Sequence, residues 1–269
     1  MAIKLSTARP EDYQHVRYVL KDHVLTLTID RPAARNALNF AAYGELLGSF
    51  QHARESNDVR CIVVTGADPA FCSGDDVKEV MMGGGGQGPV MRDVRPRSPA
   101  QPILECERPV IAAVNGPAIG WGMELSLCAD LRIASERARF GLLFVKRGLI
   151  PDVGTFTKLP SIVGNAKAAE LMYTGDVIDA NEALRIGLVC EVVPHDQLMT
   201  KAQALARKIA DNAPLATRYI KEGLRRVSLP TQDMSVFTNG AYGVLFATED
   251  HREGVRAFLE KREPKFEGK

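Results

Sequence analysis

The chain has 269 residues, enough for one large hydrophobic core or two modest ones. It is 45% hydrophobic and 25% charged, and 34 Lys and Arg meet 33 Asp and Glu, so no net field directs it toward nucleic acid or a membrane surface. Its five cysteines (Cys61, Cys72, Cys106, Cys128, Cys190) are scattered, odd in number and without metal-ligand spacing, which fits a reducing compartment better than a disulfide framework.

The N-terminal "MAIKLSTARPEDYQ" has no apolar core of signal-peptide length, and no run of about 18 apolar residues follows, so a cytoplasmic location is expected. Residues 15 to 30 read as two extended segments around a short turn. In "VLTLTID", Leu25, Leu27 and Ile29 alternate with threonine, the period of a half-buried strand, and Pro32 closes it. Tyr43, Leu46, Leu47 and Phe50 then fall on one face of a helix. "CIVVTG" (Cys61 to Gly66) and "PVIAAVNG" (Pro109 to Gly116) have the short apolar runs of buried strands. Between them, "MMGGGGQGPVMRDVRPRSPA" (Met81 to Ala100) is too rich in glycine, proline and arginine to build a core, and reads as a surface linker or a lid over a site. The recurrence of strand, helix and strand argues for an α/β core. Beyond Gly164 the helical signals are nearly continuous: Leu198, Ala202, Leu205 and Ile209 share a face, and Pro214 starts a fresh helix. The expected division is an α/β core over residues 1–195 and a helical region over residues 196–269.

Two helix entrances carry the chemical signal. "VNGPAIGWGMELSLCAD" (Val114 to Asp130) places Gly116, Gly120 and Gly122 around Trp121, with Glu124 in the first helical turn. Unpaired N–H groups and the positive end of the helix dipole collect at such a place, and glycine lets a ligand approach the backbone. "AFCSGDDVKEV" (Ala70 to Val80) also runs through a glycine toward a helix, with Asp75 and Asp76 expected in its first turn. Together the two entrances can offer two backbone donors to one developing oxyanion. Ser73 lacks a G-x-S-x-G elbow, which argues against a serine hydrolase.

The order "RPAARNALN", "FCSGDDVKE", "VNGPAIGWGMELSLCADLRIA", "RFG", "GLIPDVGT", "LPSIVGNAKAAELMYTGDVIDANEALRIGLV" and "EDHREGVRAFLEKREPKF" resembles the enoyl-CoA hydratase/isomerase (crotonase) family over nearly the whole chain. The resemblance implies an α/β spiral of repeated ββα units with a helical C-terminal region that completes the pocket and forms a homotrimer or a dimer of trimers. It implies an acyl-CoA thioester substrate, with coenzyme A as part of that substrate, no separately bound cofactor and no metal. The thioester oxygen would be held by the backbone N–H groups of Ser73 and Trp121; the second place is usually glycine, so Trp121 is a departure. Its indole either walls the pocket or is simply buried.

Glu124 matches the glutamate that handles water and a proton in family hydratases. Their second glutamate, twenty residues on, is replaced here by Phe144. Asp152 in "GLIPDVGT" matches a catalytic aspartate of related isomerases, or else caps the next helix. CoA contacts are implied for Ala34, Ser73, Gly74, Asp75 and Asp76, with Phe144 at the acyl end and Phe258 and Lys261 completing a neighbouring site. Lys261 reads equally as part of a solvated helix face. Arg218, Lys221, Arg225 and Arg226 read as an exposed helix face. The leading expectation is hydration of a 2-enoyl-CoA. Double-bond isomerisation of an enoyl-, dienoyl- or ring-acyl-CoA through Asp152 is the alternative. A haloacyl-CoA dehalogenase or hydrolase, and an RNA-binding relative, stand further off.

Overall fold

The computed structural model describes residues 5–81, 100–151, 153–226, 240–241 and 243–269. The expected hairpin is present: β1 (Val16–Lys21) and β2 (Val24–Ile29) pair antiparallel, Val16 opposite Ile29. Asp22 and His23 turn the corner at φ 48° and 64°, the left-handed pair that a two-residue hairpin loop requires. Helix α1 (Phe40–Glu55) buries Tyr43, Leu46, Leu47 and Phe50 on the expected face, and the Asn39 side chain accepts from Ala42 N at its N-cap.

Beyond the hairpin the main sheet is parallel. It runs β1-β2-β3-β4-β6-β9, where β3 is Cys61–Gly66, β4 Val110–Val114, β6 Leu131–Ser135 and β9 Glu191–Val193. A second sheet joins β5 (Pro117–Ile119), β7 (Arg139–Gly141) and β8 (Val177–Asp179). Two strands of the main sheet therefore lead to a short one in the other sheet and then to a helix. β4 leads through β5 to α3 (Trp121–Cys128), and β6 through β7 toward α4 (Thr155–Val163). β3 follows the same course through an isolated bridge between Cys72 and Ala118 of β5.

Alternation along β3 divides the interior. Ile62 and Val64 join the cluster that contains α1 and α3, while Cys61 and Val63 join Leu198, Ala202, Ala206 and Ala210 of α7 (Leu198–Ala210). Leu205 and Ile209 pack at the edge of that second cluster. The helical region that opens near residue 196 is thus anchored on the sheet from its first long helix. Pro214 starts α8 (Pro214–Arg225), as its restricted φ favours. The expectation of continuous helix after Gly164 is corrected by β8 and β9. Each has three residues, too few to display a strand period, and each is held by pairing to distant residues: Phe140 with Ile178, and Ala134 with Val192.

The basic residues of α8 form an exposed face only in part: Arg225 and Arg226 are exposed, Arg218 and Lys221 are not. Lys221 is buried, its Nζ 2.8 Å from Asp130 Oδ2 and donating to Arg108 O at 2.7 Å, and Arg225 donates to Cys106 O. Arg226 pairs with Glu222 on the same helix, and Arg218 is half-buried. Among the described residues no helix is long and apolar enough to cross a membrane.

Candidate active site

Four glycines explain why two remote stretches of backbone meet. Gly122 lies so close to Cys72 that an added Cβ would fall 2.0 Å from Cys72 O. Gly116 is pressed in the same way on Pro69 O, at 2.3 Å. Gly74 adopts φ 91°, and a Cβ there would come within 3.3 Å of Trp121 N. Gly120 takes φ 56° and ψ −122° as the N-cap of α3, donating to Gly141 O at 2.8 Å. The first turn of α3 therefore leans on the strip Cys72–Gly74, with no side chain between them.

That strip is fixed on both sides. Ile119 N donates to Cys72 O at 2.9 Å, and Cys72 N to Pro117 O at 3.1 Å. On the other side Leu38 N donates to Gly74 O at 2.8 Å, and Asp76 N to Leu38 O at 3.0 Å. Asn36 secures the loop before it, donating from Nδ2 to Ala67 O and Ala70 O. Ser73 N donates to Arg35 O at 3.2 Å, and Ser73 Oγ to Ala34 O at 3.4 Å. Ala34, Ser73, Gly74 and Trp121 thus lie on adjoining segments. Phe144 stands at the edge of the group, its ring tip 4.0 Å from where a Gly120 Cβ would be.

The two aspartates differ in structure and in the direction in which their carboxyls shift. Asp75 forms a bridge with Leu38 instead of opening a helix, and only the five-residue turn Val77–Met81 follows within the described residues. This corrects the expectation of a first helical turn for Asp75, where pairing with the Leu38 backbone takes precedence, while Asp76 stands at the entrance of that turn, its Oδ1 accepting from Glu79 N. Burial raises the Asp75 carboxyl above the usual 3.8, although the Tyr43 hydroxyl that donates to its Oδ1 opposes the shift. Burial also pushes Asp76 upward, but the Glu79 N–H and the Arg31 guanidinium, 3.1 Å away, outweigh it and hold that carboxyl below 3.8.

Trp121 is buried, and its indole meets the ring of Tyr43 edge to face, with centroids 4.8 Å apart at 88°. The indole therefore lies in the interior, against α1. Neither Tyr43 nor Thr155 was singled out for the site by sequence reasoning. Tyr43 lay within a regular helical face, and Thr155 within a loop read as a cap.

Glu124 is in the first turn of α3, as expected, and is fully enclosed. Its Oε1 accepts from Val153 N at 3.0 Å and from Thr155 Oγ1 at 2.7 Å. The backbone next to Asp152 therefore touches the Glu124 carboxylate. Asp152 itself lies outside the described residues, and the N-cap position of α4 belongs to Gly154. The side chain of Phe258 and nearly all of the Met81 to Ala100 segment lie outside them too. Lys261 follows α9 (Glu249–Glu260) and is exposed; no hydrogen bond or ion pair among the described residues joins it to the Ser73–Trp121 group. No cluster of three potential metal ligands is found among the described residues.

Residues 20–269 match the enoyl-CoA hydratase/isomerase family. The chain is 38% identical over 255 residues to the 2,3-dehydroadipyl-CoA hydratase of Escherichia coli K12, covering 93% of this chain and 97% of that one. It is 37% identical over 247 residues to the short-chain-enoyl-CoA hydratase of Clostridium acetobutylicum, covering 91% and 94%. The crystal structure of an enoyl-CoA hydratase from Bacillus anthracis superposes with a TM-score of 0.85 at 35% identity, over 95% of this chain and all of that one. The α/β spiral is the crotonase fold, and the chain belongs to the enoyl-CoA hydratase/isomerase family, an enzyme of hydratase/isomerase type.

Proposed function

We propose that this enzyme adds water across the C2=C3 bond of a 2-enoyl-CoA, holding the thioester oxygen between the N–H groups of Ser73 and Trp121. The observation that supports this reading is the seating of Gly74 against Trp121 N at the mouth of α3, with Ser73 one residue before Gly74 on the same strip. As oxygen from water adds to C3, negative charge moves onto the thioester oxygen. Fixed donors of this kind stabilise it, each by a factor of about 10²–10³ in rate. Ser73 N–H would exchange its long bond to Arg35 O for that oxygen.

Glu124 takes the proton from water and returns it to C2, so H and OH are added and the carboxylate is regenerated. One carboxylate does both jobs because Phe144 occupies the place of the family's second glutamate. Val153 N and Thr155 Oγ1 fix the direction of Glu124, and its enclosure keeps bulk water from competing for the proton. The substrate's CoA portion would run past Ala34 and the Ser73–Asp76 turn, with Phe144 beside the acyl group. Phe258 and Lys261 would serve a neighbouring copy in a homotrimer or a dimer of trimers. The helical region of residues 196–269, the absence of a separate cofactor and a cytoplasmic setting belong to the same proposal.

One observation favours a second reading, double-bond isomerisation with Asp152 moving the proton. The bond from Val153 N to Glu124 ties the residue beside Asp152 to the α3 carboxylate. Two variants separate the readings. Glu124→Gln keeps an oxygen for both donors, so it should fold normally while losing turnover of a 2-enoyl-CoA by about 10²-fold or more. Asp152→Asn should leave that hydration within a few-fold. If Asp152→Asn alone abolishes conversion, with a 3-enoyl-CoA the better substrate, isomerisation replaces hydration.

A further inference from the structure

The two proposed donors come from segments far apart in sequence, and one side chain touches both. Tyr43 of α1 presents its ring face-to-edge to the Trp121 indole, and its hydroxyl donates to Asp75 Oδ1, two residues beyond Ser73. Tyr43 is only 1% exposed and Trp121 only 4%, so neither ring has freedom to drift, and α1 is a sixteen-residue helix packed in the main core. Backbone contact through Gly74 and Gly122 sets how near the strip and α3 can come, and the Cys72 bonds to Pro117 and Ile119 fix the strip beside β5, but none of these bonds reaches the Trp121 side chain. The Tyr43 ring, hydrogen-bonded to Asp75 at its hydroxyl and packed on the Trp121 indole, adds a side-chain link between the strip and α3. Trp121 then has a use that glycine at the same place lacks: its indole is the handle by which the donor's own residue is held.

We infer that Tyr43 is a positioning residue that holds the Ser73 and Trp121 N–H groups in register through Asp75 and the Trp121 indole. This rests on the oxyanion-site reading above. Tyr43 touches no reacting atom, so its removal should alter polarisation of the substrate more than affinity for it. A misplacement of about 1 Å at such a site can lower rate about 10²-fold, and a partial loss of register somewhat less.

The test uses butanoyl-CoA carrying ¹³C at the thioester carbonyl, a saturated analogue that cannot be hydrated. Its carbonyl stretch is read by isotope-edited infrared difference spectroscopy on the full-length enzyme. In the wild-type protein the bound carbonyl should absorb at lower frequency than the same thioester in water. In Tyr43→Phe, which keeps the ring and removes the hydroxyl, that shift should shrink clearly. Its kcat on a 2-enoyl-CoA should fall about 10-fold, with KM changed by less than about 3-fold. Asp75→Ala removes the other end of the same bond and provides an independent variant. The double variant should be no worse than the poorer single one, because both remove one interaction. A full wild-type shift and wild-type kcat in both single variants would overturn the positioning role while leaving the oxyanion site intact. A wild-type enzyme that does not shift the carbonyl at all would instead overturn the oxyanion site, and the positioning role with it.

Discussion

Replacing Gly122 by alanine asks the first turn of α3 to leave the strip that carries Ser73. The new Cβ would lie 2.0 Å from Cys72 O, 2.7 Å from Cys72 C and 2.9 Å from Cys72 Cβ. Two of these atoms are backbone, Cys72 is fully buried, and its N–H and carbonyl are both bonded to the β5 segment, so no flexible end can swing aside. Regaining an ordinary contact of 3.4 Å requires a retreat of about 1.4 Å. Overpacking of this kind costs about 1–3 kcal/mol, offset by about 1 kcal/mol of better helix propensity. The net loss of stability should thus be modest, at most about 2 kcal/mol by urea denaturation. Activity should suffer far more. A retreat above 1 Å carries Trp121 N away from Ser73 N and should lower kcat about 10²-fold or more. Gly187→Ala is the contrasting variant. Gly187 has φ 75° but its nearest neighbour is 3.9 Å away, so it should lose about 1–2 kcal/mol to left-handed strain with kcat unchanged. Wild-type kcat in Gly122→Ala would show that the contact between α3 and Cys72 does not set the donor geometry.

Three further outcomes are expected. A thiol reagent on the native protein should modify Cys190 alone, since it is exposed while Cys61, Cys72, Cys106 and Cys128 are buried, and burial pushes the thiols of Cys61, Cys72 and Cys128 up to about 12; rapid modification of a second thiol would contradict the packing described. Lys221→Met should destabilise the chain by about 1–3 kcal/mol in denaturant melts, because the buried Arg108 carbonyl loses its donor, while Asp130 is part exposed and keeps the Val110 N–H; a change below about 0.5 kcal/mol would show that the pair is not structural. For Asp68, partial burial pushes the carboxyl up, but the Asn115 amide and the His195 ring outweigh it and hold it below 3.8. A depressed folded pKa gives stability that is complete above the unfolded value and lost as pH falls through the folded one. The stability gap between wild type and Asp68→Asn should therefore be steady above about pH 5 and fade below pH 3.8; a gap that widens in acid would reverse the assignment.

Most of the scaffold was legible because its signals are local. The alternation in residues 24–29, the face of Tyr43, Leu46, Leu47 and Phe50, and the apolar runs of β3 and β4 each report burial directly. The clustering of glycines at residues 116 to 122 also announced close backbone approach, and all four glycines at the meeting of the two stretches belong to that cluster or are its partner Gly74. What escaped was tertiary. β8 and β9 are strands only because β7 and β6 pair with them. Asp75 is drawn out of a helix by Leu38, and Glu124 is turned toward Thr155, 31 residues away. The link from Trp121 to Tyr43 crosses 78 positions, so no spacing rule could connect them. Trp121 read as an anomaly in a run of small residues; its meaning rests on the partner brought to it by α1 packing.

The most direct test of the account is the mass of the product formed from a short 2-enoyl-CoA in heavy-oxygen water. Water addition at the Ser73–Trp121–Glu124 site predicts a 3-hydroxyacyl-CoA carrying one labelled oxygen. Conversion of a 3-enoyl-CoA without gain in mass, with the 2-enoyl substrate left unchanged, would contradict it and make the enzyme an isomerase.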